Sequence, residues 1–149
     1  PQVAWVQGDP KSFLPILAEE VKRVEAVLPM KIPTAAHRDR EIARVTGQML
    51  GEVQETETAL LCAVPEPHFR VSPGHRTLWL LPLEPSGPVN LGSTLSSLAC
   101  TAQPPPGLPG EVRICRPGQL QRPPLSWPHD GRPNLLPMLG DMDGGVPEI

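Results

Sequence analysis

Proline and glycine together account for 35 of the 149 residues, and nothing else in the chain restricts its fold as strongly. Proline lacks the N–H that helices and sheet ladders require. At about 23% the two residues stop just short of the roughly 25–30% that marks low-complexity chains. Leu, Ile, Val and Phe supply 38 residues, about 26%, above the roughly 20% below which chains tend to stay disordered. The chain is therefore expected to fold, as short elements separated by stiff loops.

The amino-terminal third carries the clearest periodicity. VAWVQ (3–7) is an apolar, β-prone strand. Gly8-Asp9-Pro10 then supplies a turn, a helix N-cap and a proline at the first helical position. Phe13/Leu14, Leu17, Val21, Val24 and Leu28 recur at steps of three and four, and Glu19, Glu20, Lys22, Arg23 and Glu25 fall mostly elsewhere on the wheel, so an amphipathic helix is expected to run to Pro29. A second is expected from near Thr34 to Gly51, with Ile42, Val45 and Met49 as its buried stripe and Arg38, Asp39, Arg40, Glu41 and Arg44 facing solvent. His37 reads as a solvated surface histidine in its first turn.

Beyond residue 52 the period shortens. ALLCAV (59–64) and TLWLLPL (77–83) are continuous apolar runs of strand length, with Pro82 closing the second or placing it at a sheet edge. STLSSLACTA (93–102) reads as a short strand or a helical turn, and EVRIC (111–115) as a strand. The expected class is α/β: one partial domain with a strand and two helices over residues 1–52, a strand-rich part over 53–118 and a loop-rich tail over 119–149. Such a sheet alone has exposed edges and calls for further strands. The opening directly into a strand without an initiator methionine reads as that of a fragment.

Charge and cysteine content exclude several classes. A net charge of −3 offers no basic face for nucleic acid. No apolar run approaches the ~20 residues of a transmembrane helix and no signal peptide opens the chain, so a cytoplasmic protein is expected. Cys62, Cys100 and Cys115 are odd in number and widely spaced, which indicates neither a disulfide framework nor a zinc site, and their apolar settings raise a thiol pKa.

The tail segment LSWPHDGRPNLLPML (125–139) holds a His-Asp-Gly triplet. Two readings of it stand. Asp130-Gly131 after a proline is a good turn former, and His129 is a group able to exchange a proton near neutral pH. A metal-dependent phosphohydrolase built on His129 and Asp130 would need further ligands, and His37, His68 and His75 do not have the spacing to supply them, so no metal is expected. The proline-rich stretches QPPPGLPG and RPPLSWP are open to a different use, docking as polyproline II onto the aromatic groove of a protein partner.

Several segments, taken in order, resemble the C-terminal portion of the long-chain acyl-CoA or acyl-protein thioester reductases, the fatty-aldehyde-forming enzymes of bioluminescence operons and their relatives in the aldehyde dehydrogenase superfamily. PQVAWVQGD resembles the end of a Ser-Pro-Gln–strand–Gly-Asp pattern and KSFLPILAEEVKRV the helix after it. RTLWLLPLE, LGSTLSSLA and EVRICRPGQLQRPPLSWPHDG resemble, in turn, a strand following an arginine, a Leu-Gln-Thr/Ser stretch and a His-Asp-Gly ending. The chain departs from that pattern at Ser96-Ser97 and Ala99, and has only TAQPPPGLPGE where a crossover helix is expected. Loss of that helix would uncover a sheet face or make the neighbouring strands antiparallel.

The resemblance implies an aldehyde-dehydrogenase-like catalytic domain, NADPH as cofactor, a fatty acyl-CoA or acyl-protein thioester as substrate, and a catalytic contribution from His129 and Asp130. It places the nucleophilic cysteine a few residues upstream of Pro1 and the cofactor-binding half further upstream, so the segment alone is expected to be inactive. Self-association and other protein partners both remain open.

Overall fold

The computed structural model describes residues 3–87, 97–108, 112–120 and 122. The chain divides into two compact units, Pro1–Asn90 and Leu91–Ile149.

The first unit is built on a four-stranded mixed sheet. Its strands are β1 (Val3–Val6), β2 (Glu52–Glu55), β3 (Leu60–Ala63) and β4 (Thr77–Pro82), in the order β1-β4-β3-β2. β4 lies parallel to both β1 and β3, and β2 is antiparallel to β3. Helices α1 (Pro10–Val27) and α2 (His37–Leu50) cover opposite faces, with a short 3-10 turn at Thr34–Ala36 ahead of α2. The period-two alternation of the central strands sorts the core. Leu61, Ala63 and Leu80 join Leu14 and Ala18 of α1 on one face; Leu60, Cys62, Trp79 and Leu81 join Ala43 of α2 on the other. Leu60, Leu61, Leu80 and Leu81 are fully buried, each contributing about 1.5–3 kcal/mol of hydrophobic stabilisation. The α/β class expected from the sequence is the class observed.

Entry to α1 follows the sequence signals. Gly8 takes φ +110, a backbone region that disfavours any side chain. The Asp9 carboxylate then accepts from Lys11 N at 3.0 Å, and Pro10 opens the helix.

The buried faces of the helices differ from the expected stripes. α2 turns Arg40, Ala43 and Gly47 to the sheet, and Ile42, Val45 and Met49 are 55%, 41% and 81% exposed. In α1 the buried residues include Leu14, Ala18 and Glu25, and Val24 and Leu28 are exposed. Close approach decides this in α2. A Cβ on Gly47 would lie 2.7 Å from Val53 Cγ2 and 2.9 Å from Cys62 Sγ, so the small-residue side is the one that fits the sheet. β2, with only Val53 to pack against the core, carries no apolar alternation that would mark it in the sequence.

The β3–β4 connection, residues 64–76, contains no helix yet links parallel neighbours. It crosses the α2 side, where Phe69 stacks on Trp5 with centroids 6.4 Å apart and the Arg70 guanidinium lies 6.0 Å from the centre of the Trp79 ring. It ends in three successive positive-φ residues, Gly74, His75 and Arg76. Ser72 Oγ donates to Thr77 O at 2.6 Å and accepts from Gly74 N at 3.1 Å, holding this turn closed.

In the second unit, β5 (Ser97–Ala99) and β6 (Arg113–Cys115) form a parallel pair, with Leu98 opposite Ile114. The strands keep their parallel direction although no helix is described between them; residues 100–112 are long enough to reverse the chain without one. Arg113 donates to the carbonyls of Gln119, Leu120 and Arg122, closing the turn that follows β6.

Replacing Gly47 with alanine should lower stability by about 1–3 kcal/mol through overpacking, despite the ~1 kcal/mol that alanine regains in helix propensity. Gly51→Ala should cost more, because its Cβ would lie 2.1 Å from the backbone oxygen of Ala63, which cannot rotate away as a side chain does. Urea midpoints of the two variants test the order; a Gly51→Ala midpoint equal to or above that of Gly47→Ala would contradict it.

Candidate functional site

The two charged residues that the helix faces draw inward meet at one end of the sheet. Glu25, near the end of α1, is 7% exposed, and Arg40, in the first turn of α2, is 9% exposed. Both were expected on solvent faces; both reach the turn between β2 and β3. Glu25 Oε1 accepts from Thr56 Oγ1 at 2.5 Å, Thr58 N at 2.7 Å and Thr58 Oγ1 at 2.7 Å. Arg40 Nη1 donates to Thr58 O at 2.9 Å and to His75 O at 3.3 Å. Arg76 Nη1 donates to Thr58 Oγ1 at 2.8 Å, and its Nη2 to Leu28 O at 2.5 Å. Thr58 thus joins α1, α2 and the β3–β4 connection.

A cleft of about 240 Å³ adjoins this cluster, lined in part by His37, Arg40, Glu41, Arg44, Glu55 and Thr56. Glu41 pairs with Arg44, which raises the guanidinium pKa and lowers that of the carboxyl. Burial lowers the Arg40 pKa against the opposing attraction of Glu55 and Glu25. For Glu25, burial pushes the carboxyl up, but the donors of Thr56 and Thr58 together pull it below its ordinary value. A carboxylate held ionised in this way is a poor proton donor near neutral pH. The cluster is suited to fixing chain geometry and ill suited to acid–base work.

The cysteines are no better placed for nucleophilic chemistry. Cys62 is buried in β3 with its thiol pKa pushed up to about 12, chiefly by desolvation and further by Glu55. Its Sγ lies 3.9 Å from Ala43 O. Desolvation and the neighbouring Cys115 raise the Cys100 thiol. Neither is poised as a thiolate.

His129 and Asp130 lie outside the described residues, as does most of RPPLSWP. His37, His68 and His75 are exposed. Among the described residues no group of three His, Cys, Asp or Glu side chains is arranged to hold a metal ion, and no helix is long and apolar enough to cross a membrane. The described part of QPPPGLPG, residues 103–108, is largely exposed and forms no helix or strand. The signal that would have found Glu25 and Arg40 is positional. Leu14, Ala18, Val21 and Glu25 share one set of helical steps, and Ala36, Arg40, Ala43 and Gly47 repeat it, so each charge extends a row of small or apolar residues.

No protein-family model matches the chain, and no curated protein or solved structure matches it.

The Glu25 cluster has a measurable pH signature. Because the folded carboxyl titrates below its ordinary value of 4.5, the unfolded chain takes up the proton first. The stabilisation is complete above that value and is lost as pH falls through the lower folded one. Glu25→Gln is expected to cost about 1–3 kcal/mol at pH 7, with its deficit from the parent chain shrinking in acid. Chemical denaturation of both proteins between pH 7 and 3 checks this; a deficit constant with pH would mean that Glu25 is not held as the carboxylate.

Proposed function

We propose that residues 1–149 form the C-terminal part of an NADPH-dependent reductase that converts long-chain acyl-CoA or acyl-protein thioesters to aldehydes. The observation that carries this reading is the β1–Gly8–Asp9–α1 unit. The first segment bearing the family resemblance folds as a strand, a left-handed glycine and a capped helix, at the head of a sheet with helices on both faces.

Acyl transfer of this kind needs a cysteine thiolate. A thiolate must attack the thioester carbonyl and expel the carrier thiol, and hydride delivery to the resulting enzyme thioester then releases the aldehyde. Desolvation disfavours the thiolate form of both Cys62 and Cys100. Following the family resemblance, the proposal rests on a cysteine a few residues upstream of Pro1.

The described residues do not fit NADPH. In dinucleotide-binding α/β folds the pyrophosphate takes the helix N-terminus that follows a parallel strand. Here the Asp9 carboxylate occupies that end of α1, where it would repel a second anion. Cofactor binding belongs, on this reading, to other polypeptide. His129 and Asp130 are assigned to the thioester end of the reaction, His129 as proton donor or acceptor.

NADPH oxidation with tetradecanoyl-CoA tests the proposal in two proteins: the 149-residue chain, and the product of the longest reading frame that encodes it. The short chain should be silent and the longer one active. In the active protein, His129→Ala should slow single-turnover hydride transfer by about 100-fold, the lower range for a lost acid–base group, without moving the urea midpoint. Gly131→Ala should mainly lower stability, by about 1–2 kcal/mol if the glycine supplies a positive φ. Acyl-CoA-dependent activity in the short chain, or none in the longer, would overturn the reading.

A further inference from the structure

The second unit brings Cys100 and Cys115 side by side. Ala99 lies opposite Cys115 in the β5–β6 ladder, and Cys100 N donates to Cys115 O at 3.0 Å. Parallel strands stand about 4.8 Å apart and rise about 3.3 Å per residue, which sets the two Cα atoms about 5.8 Å from each other. Disulfide-linked residues most often have a separation of this size. Both side chains are half-buried and free, whereas Cys62 is buried in the core of the first unit.

Neighbouring Cα atoms are not sufficient, because a disulfide also needs the two Cβ atoms to face each other. Cys115 meets that need from its own strand: its Sγ lies 3.7 Å from Leu98 O and so leans toward β5. Cys100 follows the last residue of β5, and residues 101–103 bend away from the ladder. Had the strand continued, alternation would have fixed the Cys100 side chain on the face of Leu98, opposite to that of Cys115. As it ends, only the Cys100 N–H is held in the ladder among the described residues. Rotation about the Cys100 N–Cα bond carries Cβ toward Cys115 and leaves that hydrogen bond in place, since the N–H belongs to the rigid peptide plane before it. Desolvation, and after it the Cys115 thiol, raise the Cys100 pKa, so the two sulfurs already lie close enough to interact.

We propose that Cys100 and Cys115 form a reversible dithiol–disulfide site, oxidised by a low-molecular-weight disulfide such as oxidised glutathione, that ties β5 to β6. One protein thiolate attacks a sulfur of the reagent and expels a first small thiolate. The other then attacks the protein sulfur of that mixed disulfide and expels a second. Two protein thiols are thereby oxidised to one disulfide, the reagent is reduced to two thiols, and the two protons pass through solvent to the departing thiolates. Oxidation closes the chain between residues 100 and 115 into a covalent loop, which keeps the two strands together when their backbone hydrogen bonds open. The site is independent of the proposed reductase chemistry.

Equilibration of the 149-residue chain with mixtures of reduced and oxidised glutathione tests this, with acid quenching and peptide mapping to quantify the Cys100–Cys115 link. The equilibrium constant against glutathione gives the effective concentration of one thiol at the other. In native buffer it should exceed the value for the same pair in denaturing urea by at least about tenfold. Cys100→Ser and Cys115→Ser should each stop at the mixed disulfide. An effective concentration no higher in buffer than in urea would overturn the proposal. So would a native chain in which both cysteines carry glutathione without linking to each other.

Discussion

The Glu25 carboxylate is the acceptor around which the first unit is organised. Its Oε1 takes both the amide and the hydroxyl proton of Thr58, and the same residue offers its carbonyl to Arg40 and its hydroxyl oxygen to Arg76. Nothing of Thr58 that forms hydrogen bonds is left over. Apolar packing attaches each helix to its own face of the sheet, which leaves a direct link between the two helices to contacts at the sheet's end. The polar cluster supplies that link by reaching around the end of the strands. Buried charge of this kind is weak evidence for stability, since desolvation opposes the attraction; its clearer contribution is to fix where α1, α2 and the β2–β3 turn stand with respect to one another.

Much of the first unit can be read from its residues. The strand at Val3–Val6, the Asp9 cap, the break near Pro29, the strands around Leu60–Ala63 and the end of the next at Pro82 fall where turn chemistry and hydrophobic period place them. The helix faces cannot be read that way. Hydrophobic period treats Ile42, Val45 and Met49 as better core than Ala43 and Gly47, yet a helix that must lie tightly on a pleated surface uses its smallest side chains at the contact. Glu52–Glu55 was equally illegible, because a charged edge strand owes its conformation to the ladder with β3 rather than to its own side chains.

The site followed the same division. Glu25 and Arg40 look like ordinary solvated charges until their rows along the helices are traced. Cys62 was legible: a thiol inside LLCA sits in a central strand buried on both faces, where desolvation outweighs the attraction of Arg40 for a thiolate. The chemistry of the His-Asp-Gly tail was not legible to the same degree, because a turn and a catalytic loop draw on the same residue types.

The run Gly74-His75-Arg76 has a consequence for how the chain can vary in length. Left-handed backbone at His75 and Arg76 costs roughly 1–2 kcal/mol per residue, and neighbouring bonds hold the conformation: Thr77 N to Gly74 O, Leu60 N to Arg76 O and Arg40 to His75 O. Each of these counts residues. An insertion between Ser72 and Thr77 would shift the carbonyl that meets Arg40 and the guanidinium that meets Thr58 in the same stroke. Extra residues among Pro65, Glu66 and His68, all exposed, would merely lengthen a surface loop, at an entropic cost that grows only slowly. The crossover between β3 and β4 is therefore elastic at its start and of fixed gauge at its end.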